Sequence, residues 1–327
     1  MKFIQHKLLV DAGVQVPGEG ELRIAAEVWA PRALDPQAPV TALVCLPGGG
    51  MTRRYYDLPI EGEGSDSFSF ATQMVARGFV VILIDHLGIG ESDRPADGYA
   101  VTAERVAGAN ANATQQIVEQ LREGSLTLDL PALPSLITLG VGHSMGAMMT
   151  LLQQSQRHQH AGIALLGFST RGLPDYMPPQ VRELAQDPAA VRAKLVTLAR
   201  AMFVQPYPVI KPSPQSSGIY AGKGADPRGA AAIKQISDAL LPVPAFLSMI
   251  PGNVLPEARQ IDVPVFLGLG ELDMAGPPHE IPASFPASRD VTLFVIPGAG
   301  HSHFLFPAGA ELFDRLAAWA RTVAGSR

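Results

Sequence analysis

Apolar residues along the chain gather in short runs, and the stretches between them repeat with helical spacing. Residues 40–46, 79–84, 136–141, 162–168, 263–269 and 291–296 are predicted strands. The run Phe-Val-Val-Ile-Leu-Ile at 79–84 has no polar alternation, as in strands covered on both faces. Residues 3–10 and 20–29 form two further predicted strands around a Gly/Pro-rich turn. In the second, Leu22, Ile24 and Ala26 alternate with Arg23, Ala25 and Glu27, the pattern of a half-exposed hairpin strand. Helices are predicted over 67–77 with Gly78 as its C-cap, over 102–122, 147–154 and 308–323, the last with Leu312, Leu316 and Trp319 inward. Strand and helix in alternation call for an α/β fold with a mostly parallel central sheet flanked by helices. Functional residues then belong on loops at the carboxyl ends of the strands.

At Ser169 the pattern changes. To about residue 261 the chain is proline-rich, with helical pieces at 189–203 and 230–241, an apolar segment at 244–250, and a connector marked by Pro206, Pro208, Pro212 and Pro214. The expected organisation is a core in two parts, 1–168 and 262–327, with a mainly helical cap, 169–261, inserted after the sixth strand.

Composition narrows the classes. The 327 residues suffice for one large core plus a cap. With a formal net charge of −5 and no Lys/Arg block, the sequence argues against a nucleic-acid partner. No run approaches the length of a membrane span, and no apolar segment follows the N-terminus as in a signal peptide. The single cysteine, Cys45, rules out an internal disulfide framework and fits a reducing cytoplasm. Monomer and homodimer both stay open.

The candidate chemistry centres on Gly142-His143-Ser144-Met145-Gly146, between a strand and a helix. Gly-x-Ser-x-Gly in that setting is the pattern of a sharp turn that lifts a serine hydroxyl above the sheet edge. A serine hydroxyl is a weak nucleophile at neutral pH, so Ser144 needs a base and the base needs an orienting carboxylate. His301, after the last strand and behind two glycines, is the best-placed base; His303 competes. Asp273 is the preferred carboxylate, with Glu271 the alternative. Charge developing on a substrate carbonyl needs two donors: the Met145 N–H, and one from Gly49 or Gly50 in the loop after strand 40–46. That loop lacks the Gly-Lys-Ser/Thr ending of a phosphate loop, and Gly88-x-Gly90 lacks the dinucleotide fingerprint. A metal pair at His301 and His303 has no third ligand nearby in the sequence. Tyr55 and Tyr56, with Phe203, Phe246, Met249 and Ile250 of the cap, are candidate pocket residues or cap core.

Together with Asp85-His86-Leu87-Gly88-Ile89-Gly90-Glu91-Ser92, Gly270-Glu271-Leu272-Asp273 and Gly298-Ala299-Gly300-His301, the Gly142–Gly146 motif resembles the α/β-hydrolase fold superfamily, over about residues 20–325. The resemblance implies a triad of Ser144, Asp273 and His301 and places Pro47-Gly48-Gly49 where the family has a His-Gly turn; proline here replaces histidine. It implies a serine esterase, acting without cofactor or metal on a small to medium apolar ester or lactone through an acyl-enzyme. A carbon–carbon hydrolase for a diketone-like substrate shares the triad but needs polar groups such as Arg53 or Arg54. A non-catalytic binding protein is the reading from another class.

Overall fold

The computed structural model describes residues 3–58, 60, 68–177, 179–184, 187–209 and 222–326. Pro212, Pro214 and the first residue of the helix predicted from 67 lie outside these. Eight strands form one sheet in the order β1-β2-β4-β3-β5-β6-β7-β8. They are β1 (Phe3–Asp11), β2 (Arg23–Pro31), β3 (Val40–Leu46), β4 (Val80–Ile84), β5 (Leu136–His143), β6 (Ile163–Leu166), β7 (Val265–Gly270) and β8 (Val291–Ile296). β1 pairs antiparallel with β2, and β2 antiparallel with β4; from β4 to β8 every pairing is parallel. Every residue of β3 and β4 is buried, which explains their unbroken apolar runs: helices cover both faces.

On one face lie α2 (Ala103–Glu123) and α3 (Met145–Arg157), whose apolar sides join the core of Ile82, Val44 and Leu165. On the other lie α1 (Phe70–Ala76) and α10 (Gly309–Gly325), which pack Phe70, Phe313 and Trp319 with Leu43, Val81 and Phe266. α2 begins at Thr102, whose hydroxyl accepts the Arg105 N–H, and ends at Gly124 in the left-handed conformation.

Between β6 and β7 the described chain is helical: α4 (Pro179–Leu184), α5 (Pro188–Ala193), α6 (Leu195–Met202), α7 (Pro227–Ile236), α8 (Pro242–Met249) and α9 (Leu255–Ala258). Here local detail departs from the pattern reading. The helix expected over 189–203 breaks at Lys194 into α5 and α6. That expected over 230–241 stops at Ile236, because the next residues leave the helix to bond with the loop after β3. The apolar segment 244–250 is itself helical, started by Pro242 at the first helical position.

The turn from β5 into α3 is a tight approach of backbone to backbone. A Cβ on Gly146 would sit 2.1 Å from the Leu46 carbonyl oxygen, and one on Gly142 would sit 2.4 Å from the Gly146 carbonyl oxygen. Both partners are backbone and cannot swing away. Gly146→Ala is therefore expected to destabilise the protein by roughly 3 kcal/mol or more, seen as a lowered urea midpoint. A midpoint equal to that of the unaltered chain would contradict this packing.

Candidate active site

β5 ends at His143 and α3 starts at Met145, which leaves Ser144 alone in the corner with φ 55° and ψ −122°. Such a backbone is strained for any residue with a side chain. It is held by the Ser144 N–H, which donates to the Leu166 carbonyl at 2.8 Å. Loops after β7 and β8 deliver the partners. His301 Nε2 lies 2.9 Å from Ser144 Oγ, and His301 Nδ1 lies 2.8 Å from Asp273 Oδ1. The imidazole of His301 is buried and the Asp273 side chain fully so. The three side chains form a Ser-His-Asp triad assembled from three strand ends.

Burial opposes ionisation of Asp273, but the His301 imidazole beside it, with help from His303, outweighs that and holds the carboxyl well below its usual range. The acid stays an anion throughout the neutral range and so fixes His301 with Nδ1–H toward it and Nε2 free to accept the serine proton. Glu271, the alternative acid, is exposed and accepts the Gly298 N–H at 2.9 Å. His303 does not face Ser144 as a rival base; its Nε2 lies 2.8 Å from Asp273 Oδ2. Each of the two histidines weighed as a metal pair thus points a ring nitrogen at an oxygen of the same carboxylate.

The loop after β3 lies across the start of α3. A Cβ on Gly49 would be 3.7 Å from Met145 Cβ, which places Gly49 against the residue that opens the helix. The first helical N–H groups have no partner within a helix. Gly50 takes a left-handed φ of 74°, and its carbonyl accepts the Asp238 N–H at 2.9 Å. Two histidines outside the triad brace this region. His86 is fully buried; its Nε2 lies 2.9 Å from the Pro47 carbonyl and its Nδ1 3.0 Å from Asn110 Nδ2. His143 directs Nε2 to the His301 carbonyl at 2.8 Å and stacks on Tyr55 at 4.4 Å. A histidine placed directly at the strand end of Gly-x-Ser-x-Gly was the available signal. Its partner is a carbonyl 158 residues away, which no local pattern reveals.

The insertion reaches the same loop. The Thr52 N–H donates to the Ile236 carbonyl at 3.1 Å, and Met51 bridges Ser237. The Asp238 carboxylate accepts the Gly90 N–H at 2.7 Å and pairs with Arg94. Leu240 Cδ2 stands 3.0 Å from where a Gly49 Cβ would be; Leu241 and Tyr207 stand similarly close over Gly88.

Of the six pocket candidates, Tyr55, Tyr56, Phe246 and Ile250 are fully buried and part of the packed core. Tyr55 also stacks on Phe304, and Tyr56 donates its hydroxyl to the Leu46 carbonyl at 2.9 Å. Phe203 and Met249 are half-buried, and each spends its carbonyl on a fold contact, Phe203 with the Tyr99 hydroxyl and Met249 with the Leu173 N–H. Arg53 is buried among Asp85, Glu91 and Glu27.

His86, His143 and His160 are all pushed down by burial, His160 to about 4. A histidine buried neutral takes up its proton in the unfolded chain first. Its full stability is present above about pH 6.5 and declines as pH falls toward the folded value. For His160 alone the loss is about 2 kcal/mol by pH 5. The depressed Asp273 runs the same way but at lower pH: its contribution is full above the unfolded carboxylate range and is lost as pH falls through the lower folded value. Urea unfolding at pH 7 and pH 5 should show a loss of stability that His160→Gln partly removes. An unchanged pH dependence in that variant would contradict the assignment.

The family model described as alpha/beta hydrolase family matches residues 43–314. No curated protein matches the chain in sequence. Among solved structures, the peroxisomal alpha-beta-hydrolase Lpx1 of Saccharomyces cerevisiae superposes with a TM-score of 0.63 at 14% identity, covering 100% of this chain and 91% of that one. A thermophilic esterase from Thermogutta terrifontis gives a TM-score of 0.60 at 17% identity, covering 97% and 99%. A monoacylglycerol lipase from Paleococcus ferrophilus gives a TM-score of 0.60 at 18% identity, covering 93% and 100%. At these identities the likeness is one of fold.

Proposed function

The chain belongs to the alpha/beta hydrolase family, and on that premise we propose that it is a serine hydrolase cleaving small to medium apolar carboxylic esters, open or cyclic, through an acyl-enzyme. The observation that carries this reading is the continuous path from Ser144 Oγ through His301 to Asp273, with contacts of 2.9 and 2.8 Å. In the reaction, His301 Nε2 takes the Ser144 proton as Oγ bonds to the ester carbon. The carbonyl electrons move to oxygen, and the oxyanion is met by the Met145 N–H and an N–H of the Gly49–Gly50 loop. The abutment of Gly49 on Met145 favours Gly49. Loss of one such donor costs roughly 3 kcal/mol of barrier. The tetrahedral species collapses, the C–O bond breaks, and the alcohol leaves with the proton from His301. Water, deprotonated by the same imidazole, then releases the acid and restores Ser144.

We assign residues 169–261 the role of cap. Supporting this, backbone bonds from Ile236 and Asp238 reach the loop after β3, Leu240 overhangs that loop, and Leu241 and Tyr207 overhang Gly88 in the loop after β4. Their side chains, largely apolar, suit an uncharged acyl or alkoxy group. The carbon–carbon hydrolase reading is weakened because Arg53, which could steady a carbanion, is consumed by three carboxylates. The net charge of −5 disfavours nucleic acid as a partner. A buried Cys45, the single cysteine, supports a cytoplasmic setting. Among the described residues, no helix is long and apolar enough to cross a membrane.

A panel of p-nitrophenyl esters of increasing acyl length, γ- and δ-lactones, and a vinylogous diketone tests the reading. Turnover of esters or lactones with the diketone inert is expected. Diketone cleavage with esters and lactones untouched would overturn it.

A further inference from the structure

Asp273 serves two imidazoles. Oδ1 faces His301 and also accepts the Ala275 N–H at 3.0 Å, whereas Oδ2 faces His303 Nε2 at 2.8 Å. Both the Asp273 and His303 side chains are fully buried, so no bulk solvent competes for Oδ2. The tautomer of His303 can be argued from its surroundings. Nε2 also lies 3.2 Å from the Gly270 N–H, and Nδ1 is buried without a hydrogen-bond partner. With the proton on Nδ1, an N–H would be buried unsatisfied and the Nε2 lone pair would point at a carboxylate. With the proton on Nε2, a charge-assisted bond forms to Oδ2, at the cost of the Gly270 N–H bond and an unmet Nδ1 lone pair. Each tautomer strands one buried N–H, so the 2.8 Å contact with the carboxylate decides: a lone pair held against an anion repels, whereas an N–H there makes a charge-assisted bond.

We propose that His303 is a positioning residue for the reaction. As the neutral Nε2–H tautomer it holds Oδ2, fixes the rotation of the Asp273 carboxylate, and so aims Oδ1 at His301 Nδ1. The inference rests on the hydrolase reading for its kinetic consequence but not for its tautomer. His303 sits in the turn Ser302-His303-Phe304 that follows His301, so one loop carries both the proton-accepting imidazole and the group that orients its acid. The ionisable groups facing it are Asp273, the His143 ring at 5.6 Å and the His301 ring at 6.4 Å.

His303→Leu removes the donor to Oδ2, and His303→Gln offers an amide N–H from nearly the same place. The leucine variant should lose roughly 10- to 100-fold in kcat, the scale of one hydrogen bond to a buried charge, with KM little changed. Its negative charge, gathered on Oδ1, should better stabilise protonated His301, so the acid limb of kcat/KM moves to higher pH. The glutamine variant should recover most of kcat and the original limb. Equal losses in both variants with an unmoved limb would reduce His303 to packing and overturn the proposal, as would no loss in either. Ring ¹⁵N shifts of the labelled unaltered protein give a readout independent of turnover. Protonation at Nε2 is expected, and protonation at Nδ1 contradicts the assignment. If the unaltered protein hydrolyses no ester or lactone, the hydrolase reading fails, and the nitrogen shifts alone still decide whether His303 holds Asp273.

Discussion

Ser144→Ala is expected to lower kcat by roughly five to six orders of magnitude while the protein stays folded. The hydroxyl is the group whose bond to the acyl carbon splits one difficult step into two. Without it, the proposed oxyanion donors and cap still bind a substrate but have no nucleophile to serve. The fold should be indifferent to the change. Alanine keeps the Cβ that already occupies the corner at φ 55°, and no backbone group relies on Ser144 Oγ, which bonds His301. Ester turnover is read by steady-state kinetics and folding by the urea midpoint. Undiminished kcat with an unchanged midpoint would show that another group performs the chemistry.

Asp273→Asn is the second large effect, a loss on the order of 10⁴-fold in kcat. The substitution keeps size and shape but replaces two acceptors with one acceptor and one donor. An amide nitrogen facing His301 favours the tautomer with Nε2 protonated, which cannot take the serine proton. An amide nitrogen facing His303 instead meets a donor and strands both. The buried negative charge that stabilises the imidazolium is lost as well, the same pairing with His301 and His303 that holds the Asp273 carboxyl below its usual range. Glu271→Gln is the control. Because Glu271 is exposed and turned to Gly298, its loss should change kcat by less than about threefold. A larger effect at 271 than at 273 would reassign the acid.

The strand–turn–helix at 136–157 was readable because period and punctuation agree there. A buried run stops, small residues permit a turn where a Cβ on Gly146 would meet backbone at 2.1 Å, and an apolar helix follows. Asp273 and His301 were readable for a related reason: each follows a strand of a parallel sheet, and that topology sends all such loops to one edge. What stayed hidden depends on contacts distant along the chain. Tyr55 and Tyr56 follow the Gly48–Gly50 loop in sequence, but Tyr55 stacks on His143 and Phe304 and Tyr56 packs on Phe70, which draws both into the core. Phe246 and Ile250 had equal claim to pocket or core, and only the packing of α8 decides for the core. Asp238 carried no motif at all. Its significance comes from meeting Gly50, Gly90 and Arg94, three points on two separate loops. His303 was visible as a histidine but not as a partner of Asp273, since a rival base and an orienting group look alike in sequence.

The central claim is that burial, backbone strain and an imidazole–carboxylate pair make one hydroxyl of this chain nucleophilic. Mapping the adduct of a fluorophosphonate by peptide mass spectrometry tests it most directly. The account predicts stoichiometric labelling on Ser144 in the folded protein, abolished by urea and by His301→Ala. Labelling absent from Ser144, or equally fast after unfolding, would contradict it.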